Sequence, residues 1–312
     1  VLTPEKLNYI LKQNRDLSNE VGLVIYDEGH LFDDETRGIK YELLLASLKR
    51  QLSKNTQTVL ISAVISNSQQ IKEWLIGDNG VSVEARNLNP TSRNLAFSSW
   101  STLMGQLIFT NENNIDETLF FVPRILISEE LQLKKGERKA RSFPDKESAK
   151  LYVANDVAGY IGCKLSSEGL AAIFTGRKDS ALNIAKALIE AFERGFTMAK
   201  PIEHIDDRAE VEKMIRYVER LLGTDSVQAR SARLGILIHH GSTPQGLRLS
   251  IECALRSLQF KCVICTSTLA PGVNLPIKYL IIASDQQGKS KIKVRDFHNL
   301  MGRVGRAGKY TE

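Results

Sequence analysis

LVIYDEGHLF, residues 23–32, is an apolar run that stops at two adjacent carboxylates, Asp27 and Glu28, with His30 close behind. A short run of this kind, rich in β-branched residues, reads as a buried strand. Ligands of open α/β sheets sit beyond the carboxyl ends of the strands. A carboxylate there can hold a hydrated Mg²⁺ that bridges β- and γ-phosphate oxygens, while its neighbour orients an attacking water. An acidic turn closing a strand has the same local sequence, so the stretch acquires meaning from what surrounds it.

Outward from that strand, apolar runs alternate with helical patterns. VGLVIY (21–26) is followed by YELLLASLKRQL (41–52), TVLISAV (58–64) and QQIKEWLI (69–76), a β-α-β-α rhythm that predicts a parallel sheet. A second series contains strands LAAIFT (170–175), GILIHH (235–240), KCVICT (261–266) and KYLIIAS (278–284). Its helices are expected over 148–161, 180–193, 210–222 and 247–258. Between the series, LAFSSW, GQLIFT and LFFVPRILI predict hairpin strands, and KKGERKARSFPDK (134–146) is linker-like. The expected organisation is α/β: residues 1–93 as part of a first domain, 94–145 as a hairpin-like linker, and 146–312 as a second domain. The first domain supplies few strands for an open nucleotide-binding sheet, and is expected to be incomplete at its N-terminus.

Composition agrees with two globular domains. The 312 residues are 42% hydrophobic and 25% charged, which argues against disorder. No stretch approaches the ~18–20 apolar residues of a membrane span, and the first residues, VLTPEKLNYI, do not resemble a secretory signal. An intracellular protein without a membrane partner is expected. Lys and Arg total 42 against 36 Asp and Glu, a net charge of +6. Between Lys289 and Lys309 the basic residues Lys289, Lys291, Lys293, Arg295, Arg303, Arg306 and Lys309 face a single acid, Asp296. A local field of that sign favours phosphate. The C-x-x-C of Cys262 and Cys265 could be half a zinc site, but on a strand residues three apart point to opposite faces, which favours a core position.

Three more stretches carry chemistry. TVLISAVISN (58–67) is a strand closed by Ser62-Ala63. CTSTLAPGVNLP (265–276) runs from a strand into small hydroxyl residues and a Pro-Gly turn, a setting for phosphate contacts or simply a turn. FHNLMGRVGRAG (297–308) places Arg303 and Arg306 on one helix face. Each interior Gly weakens such a helix by ~1 kcal/mol, so these glycines answer to something other than helix stability. The arginine fork suits a γ-phosphate.

Taken in order, these stretches resemble superfamily-two nucleic-acid helicases, specifically the DExH branch of the superkiller (Ski-type) kind. TPEKL (3–7) is similar to motif Ib, DEGH (27–30) to motif II, and RGIKYE (37–42) to a segment typical of the branch. SAVISN (62–67) is similar to motif III, FTGRK (174–178) to motif IV, and IHHGSTP (238–244) to the motif that precedes the next helix. TSTLAPGVNLP (266–276) resembles motif V and NLMGRVGR (299–306) motif VI. The resemblance implies two RecA-like parallel-sheet domains in tandem that use ATP and Mg²⁺ and act on DNA or RNA. By that resemblance Asp27 ligands Mg²⁺, Glu28 activates water, and His30 and Ser62 couple the nucleotide state to closure of the domains. Gly272, Asn274 and Asn299 contact nucleotide, and Arg303 and Arg306 reach its phosphates across the interdomain cleft. Thr3, Pro4 and Glu5, with Arg177, His240, Gly241 and Thr266, contact the phosphate backbone of a single strand.

The chain departs from the pattern at three places. Motif III carries Val64 where the family has Thr, and motif VI opens with Asn299 in place of Gln. No phosphate-binding loop G-x-x-x-x-G-K-[ST] occurs in the 26 residues before Asp27. ASDQQGKS (283–290) comes close, with Ala283 for the first Gly, but KIKVRDF after it is expected to continue as a strand, whereas a working loop opens a helix. Lys289 is therefore read as part of a basic loop, and these 312 residues alone are expected to hydrolyse ATP poorly. Two alternatives stand beside a helicase core: a non-catalytic nucleic-acid-binding module that keeps the fold, and a duplex translocase of a defence or restriction system.

Overall fold

The computed structural model describes residues 1–14, 16–29, 32, 38–62, 67–83, 93–101, 104–111, 114–146, 150–269, 275–287, 290–292, 294–302 and 304. They fall into two compact units, Val1–Leu88 and Asn89–Glu312. The expected linker region 94–145 thus falls inside the second unit.

The first unit begins with α1 (Pro4–Gln13), whose start is written locally. Thr3 Oγ1 accepts from the Lys6 N–H at 3.3 Å, and Pro4 and Glu5 occupy the first turn, where a missing donor and a negative charge both suit a helix N-terminus. After the short α2 (Leu17–Glu20) come β1 (Leu23–Tyr26), α3 (Gly38–Gln51), β2 (Gln57–Leu60) and α4 (Ser68–Leu75). β1 and β2 run parallel, with Leu23 opposite Gln57 and Tyr26 opposite Leu60. One face of β1 is buried: Val24 and Tyr26 pack with Leu11, Leu45, Leu48 and Leu75. Each such leucine contributes ~1.5–3 kcal/mol by leaving water. Leu23 and Ile25, on the other face, stay about half exposed at 50% and 56%.

The second unit opens with an antiparallel sheet, β3 (Leu95–Ser101), β4 (Met104–Asn111) and β5 (Asn114–Leu126), the hairpin strands expected there. The segment after it forms a two-stranded ladder, β6 (Glu129–Glu130) with β7 (Ser142–Phe143). Charged pairs tie this segment to two helices, α5 (Lys150–Leu165) and α6 (Lys178–Glu193). Arg141 donates to Asp156 of α5 and Glu190 of α6, both at 2.8 Å, and the buried Arg194 donates to Glu137 and Glu190.

Between α5 and α6 lies β8 (Leu170–Phe174), and after α6 follow α7 (Arg208–Leu222), α8 (Val227–Arg233), β9 (Ile236–His239), α9 (Gln245–Arg256), β10 (Cys262–Cys265) and β11 (Ile277–Ile282). Among the described residues these four strands make a wholly parallel sheet in the order β11-β8-β10-β9. Strand alternation sorts its side chains between two cores. Leu170, Ala172, Phe174, Leu237, Val263 and Cys265 face α7, α8 and α9. Ile173, Ile236, Ile238, Cys262 and Ile264 face α5 and α6. A sheet covered on both faces explains why these strands read as unbroken apolar runs. It also puts Cys262 and Cys265 in different cores, as strand geometry requires, and no group of three or more metal-ligating side chains occurs among the described residues.

Gly235, which leads into β9, has φ +83, and a Cβ there would lie 2.3 Å from the Ile202 backbone nitrogen, so only glycine fits without strain. Beyond β11, β12 (Gln286–Gln287) and β13 (Ser290–Lys291) form a small hairpin, and α10 (Val294–Met301) follows. KIKVRDF therefore does not continue as a strand: it turns helical at Val294. The β-branched alternation is overridden because Leu300 reaches the core that also takes Leu275 and Ile277. No helix among the described residues is long and apolar enough to cross a membrane.

Candidate functional site

In the first unit the acidic pair stands where β1 ends. Asp27 is exposed and Glu28 half-buried. Glu28 has φ +60, an uncommon left-handed conformation for a residue with a side chain, and its N–H donates to Asp27 Oδ1 at 2.8 Å. Such a backbone costs on the order of 1–3 kcal/mol and persists where the surroundings enforce it. The enforcing contact is next door. Gly29 N–H donates to the Ile61 carbonyl at 2.9 Å, and Ile61 N–H donates to the Tyr26 carbonyl at 2.8 Å, so the strand ends are laced together past the ladder itself. A Cβ on Gly29 would meet Leu60 side-chain carbons at 3.0 Å and Ser62 Cβ at 3.2 Å. This close approach seats Ser62 beside the DEGH turn. The Ser62 hydroxyl is buried and finds no hydrogen-bond partner among the described residues.

Tyr41, on α3, reports the field of the acidic end. Burial raises its pKa first, and Asp27, Glu28 and Glu5 raise it further. Tyr26 is pushed up to about 12 by burial and then by Tyr41. Both phenols stay protonated at neutral pH beside a cluster of negative charge. An exposed carboxylate with hard oxygen donors in such a field fits a Mg²⁺ that takes one protein ligand and completes its shell from phosphate and water. Glu5 brings α1 into the same neighbourhood, and the exposed Thr3 and Glu5 flank Pro4 at the amino end of that helix.

In the second unit the carboxyl ends of parallel strands bring together residues distant in sequence. β8 continues into Thr175, Gly176 and Arg177, the last exposed and capping the amino end of α6. β9 continues into His240 and Gly241, and β10 into Thr266. Backbone bonds lock these ends in register: Thr175 N–H donates to the Cys265 carbonyl at 2.9 Å, and Thr266 N–H to the His239 carbonyl at 3.1 Å. His240 and Thr266 are buried, Gly241 exposed. Thr243 N–H donates to the His240 carbonyl at 3.0 Å, and its hydroxyl lies 3.3 Å from His240 Nδ1. His240 Nε2 and Thr175 Oγ1 are buried without a hydrogen-bond partner among the described residues. Burial, then His239 and Lys178, lower the His240 pKa, so its ring is neutral near pH 7.

His30, Gly272, Asn274, Arg303 and Arg306, together with Val64 and Lys289, lie outside the described residues. Asn299 is on α10. The residues that sequence reasoning passed over are Thr175 and Thr243, which stand inside the quoted FTGRK and IHHGSTP stretches. Their signal was a small hydroxyl just past an apolar strand. His239 and its partner Glu252, thirteen residues apart, left no such local signal.

Residues 1–72 match the DEAD/DEAH box helicase family and residues 198–308 the helicase conserved C-terminal domain. The chain is 31% identical over 319 residues to Hachiman protein HamB of Bacillus cereus, spanning 100% of this chain and 27% of that protein. It is 29% identical over 293 residues to Helicase POLQ-like of Drosophila melanogaster, with 93% and 25% covered. To the ATP-dependent DNA helicase Hel308 of Pyrobaculum calidifontis it is 26% identical over 313 residues, with 99% and 37% covered. The chain thus spans between 25% and 37% of the length of these curated relatives. Both matched segments are similar to helicase families, and the mixed α/β architecture with parallel sheets is consistent with two RecA-like domains.

Proposed function

We propose that a superfamily-two helicase core of the superkiller type is what these 312 residues contribute: they bind Mg-ATP through the DEGH turn and grip the phosphate backbone of a single strand of DNA or RNA. One observation carries this reading. Asp27, Glu28 and Ser62 in the first unit, and Arg177, His240, Gly241 and Thr266 in the second, follow the carboxyl end of a parallel strand, the place where α/β sheets take ligands.

Mg²⁺, when bound with the nucleotide, supplies charge neutralisation at the β- and γ-phosphates. Asp27 holds that ion through its exposed carboxylate. Glu28, turned by its left-handed backbone, orients the attacking water and accepts its proton. The buried Ser62 hydroxyl senses the turn through the Gly29 contact. Arg303 and Arg306 bring fixed positive charge to the phosphates, and Gly272, Asn274 and Asn299 complete the nucleotide contacts. On the nucleic-acid side, Thr3, Pro4 and Glu5 present the amino end of α1, while Arg177, His240, Gly241 and Thr266 form a second set of backbone contacts. Binding is sequence-independent and weakens steeply with salt. The 312 residues alone turn ATP over slowly, since most triphosphate contacts in such enzymes come from a phosphate-binding loop and no such loop lies in the residues before Asp27. A non-catalytic binding module is the second reading, favoured by Val64 and Asn299 at positions where the family carries Thr and Gln.

The test is Glu28→Gln in the intact protein. Loss of the base lowers nucleic-acid-stimulated ATP hydrolysis by ~10²–10⁴-fold, while affinity for a labelled oligonucleotide is kept. Unchanged turnover refutes the active-site assignment. A wild-type protein that binds the strand and never turns over ATP establishes the module instead.

A further inference from the structure

His239 closes β9 with its side chain 1% exposed, and its Nε2 lies 3.0 Å from Glu252 Oε1 on α9. The pair bridges the loop 240–244 from both ends: His239 is the residue before it, and Glu252 lies two turns into the helix after it. Burial pulls the His239 pKa down while Glu252 pulls it up, so the ring is held chiefly as a neutral donor to the carboxylate. Packing does not call for this pair. α9 is already docked through Leu247, Ile251, Ala254 and Leu255, all in the apolar core. A buried charged or polar pair is a poor source of stability but a good way to fix a register.

What the pair fixes is visible in its neighbours. On one side the His239 carbonyl accepts from Thr266 N–H at 3.1 Å. On the other, His240 is held by Thr243 through its carbonyl and its Nδ1, which orients the ring and leaves Nε2 without a partner among the described residues. Two of the proposed phosphate contacts, His240 and Thr266, therefore take their orientation from the residue that Glu252 anchors.

We propose that Glu252 is a positioning residue for nucleic acid: through its hydrogen bond to His239 it sets the His240–Pro244 loop to receive one backbone phosphate of the strand. This rests on the nucleic-acid reading above.

The experiment compares wild type, Glu252→Ala and Glu252→Gln in the 312-residue chain, by fluorescence anisotropy with a labelled oligothymidylate across a salt series, alongside thermal melting. For Glu252→Ala, affinity falls ~5–10-fold at every salt concentration while the slope of log affinity against log salt stays that of wild type, because His240 and Thr266 meet phosphate as neutral groups and release no counterion. Glu252→Gln, whose amide oxygen still accepts from Nε2, stays within about twofold of wild type in affinity and keeps the full slope. Wild-type affinity in Glu252→Ala overturns the proposal, as does a flattened slope, which marks the loss of a cationic contact instead. So does a loss of affinity that only tracks the unfolded fraction, the mark of a merely structural pair. Should Glu252→Ala not fold, Glu252→Asp, which withdraws the carboxylate by one methylene, is read by the same two criteria. A wild-type chain with no salt-dependent binding at all is a different result: it removes the nucleic-acid reading and the inference with it.

Discussion

Replacing Gly235 by Ala separates two kinds of backbone constraint ahead of the histidine-bearing strand. Gly235 and Gly223 share a positive φ, +83 and +88, but a Cβ at Gly223 meets nothing within 4 Å, whereas at Gly235 it meets Ile202 N at 2.3 Å and Ile202 Cα at 2.7 Å. The positive φ alone disfavours Ala by ~1–3 kcal/mol. Pushing the Pro201–Ile202 backbone away from β9 adds ~1–3 kcal/mol of overpacking, and that backbone cannot yield freely because Ile202 N–H donates to the Leu234 carbonyl at 3.0 Å. The sum for Gly235→Ala is ~2–6 kcal/mol, against ~1–3 for Gly223→Ala. For a unit of this size each kcal/mol moves the midpoint by ~2–4 °C, so the expected losses are ~4–24 °C and ~2–12 °C. Paired thermal melts followed by circular dichroism read both in one session. Equal shifts in the two variants, or a smaller one for Gly235→Ala, refute the reasoning.

Arg177→Ala leaves folding intact, because the side chain is exposed, and flattens the salt dependence of single-strand binding by ~0.7 in log–log slope; a slope equal to wild type removes Arg177 from the phosphate contacts. Acid destabilises the second unit. His239 and His240 both have folded pKa values below the ordinary 6.5, so the unfolded chain takes up protons first. The stability they contribute is complete above about pH 6.5 and is lost as pH falls from there through the lowered folded values. Denaturant midpoints at pH 7.5 and 5.5 should differ in that direction, and a midpoint that rises on acidification contradicts it.

Where burial on both faces dictates residue type, the sequence declared the structure openly. LAAIF, ILIH and CVIC became β8, β9 and β10 as expected, and LVIYDE placed its carboxylates at a strand end. Weak local signals were lost. VQARSAR has no apolar stripe, yet α8 forms because Ala229 and Ala232 fit a tight space against the sheet and Ser226 caps the helix by accepting from Ala229 N–H at 3.2 Å. TPEKL was legible as a motif before it was legible as the start of α1. At Val294 the alternation of small apolar and basic residues pointed to a strand, and tertiary anchoring at Leu300 decided otherwise. The His239–Glu252 bond was invisible for a different reason. It depends on α9 folding back along β9, and no pattern within a short window encodes that.

Of the four cysteines, Cys163, Cys262 and Cys265 are buried, and Cys253 alone is exposed. It sits on α9, one residue past Glu252. A thiol-reactive dye should therefore attach at a single place in the native chain without any engineered cysteine. That gives an optical reporter on the helix that follows the His240–Pro244 loop, able to register strand capture in real time.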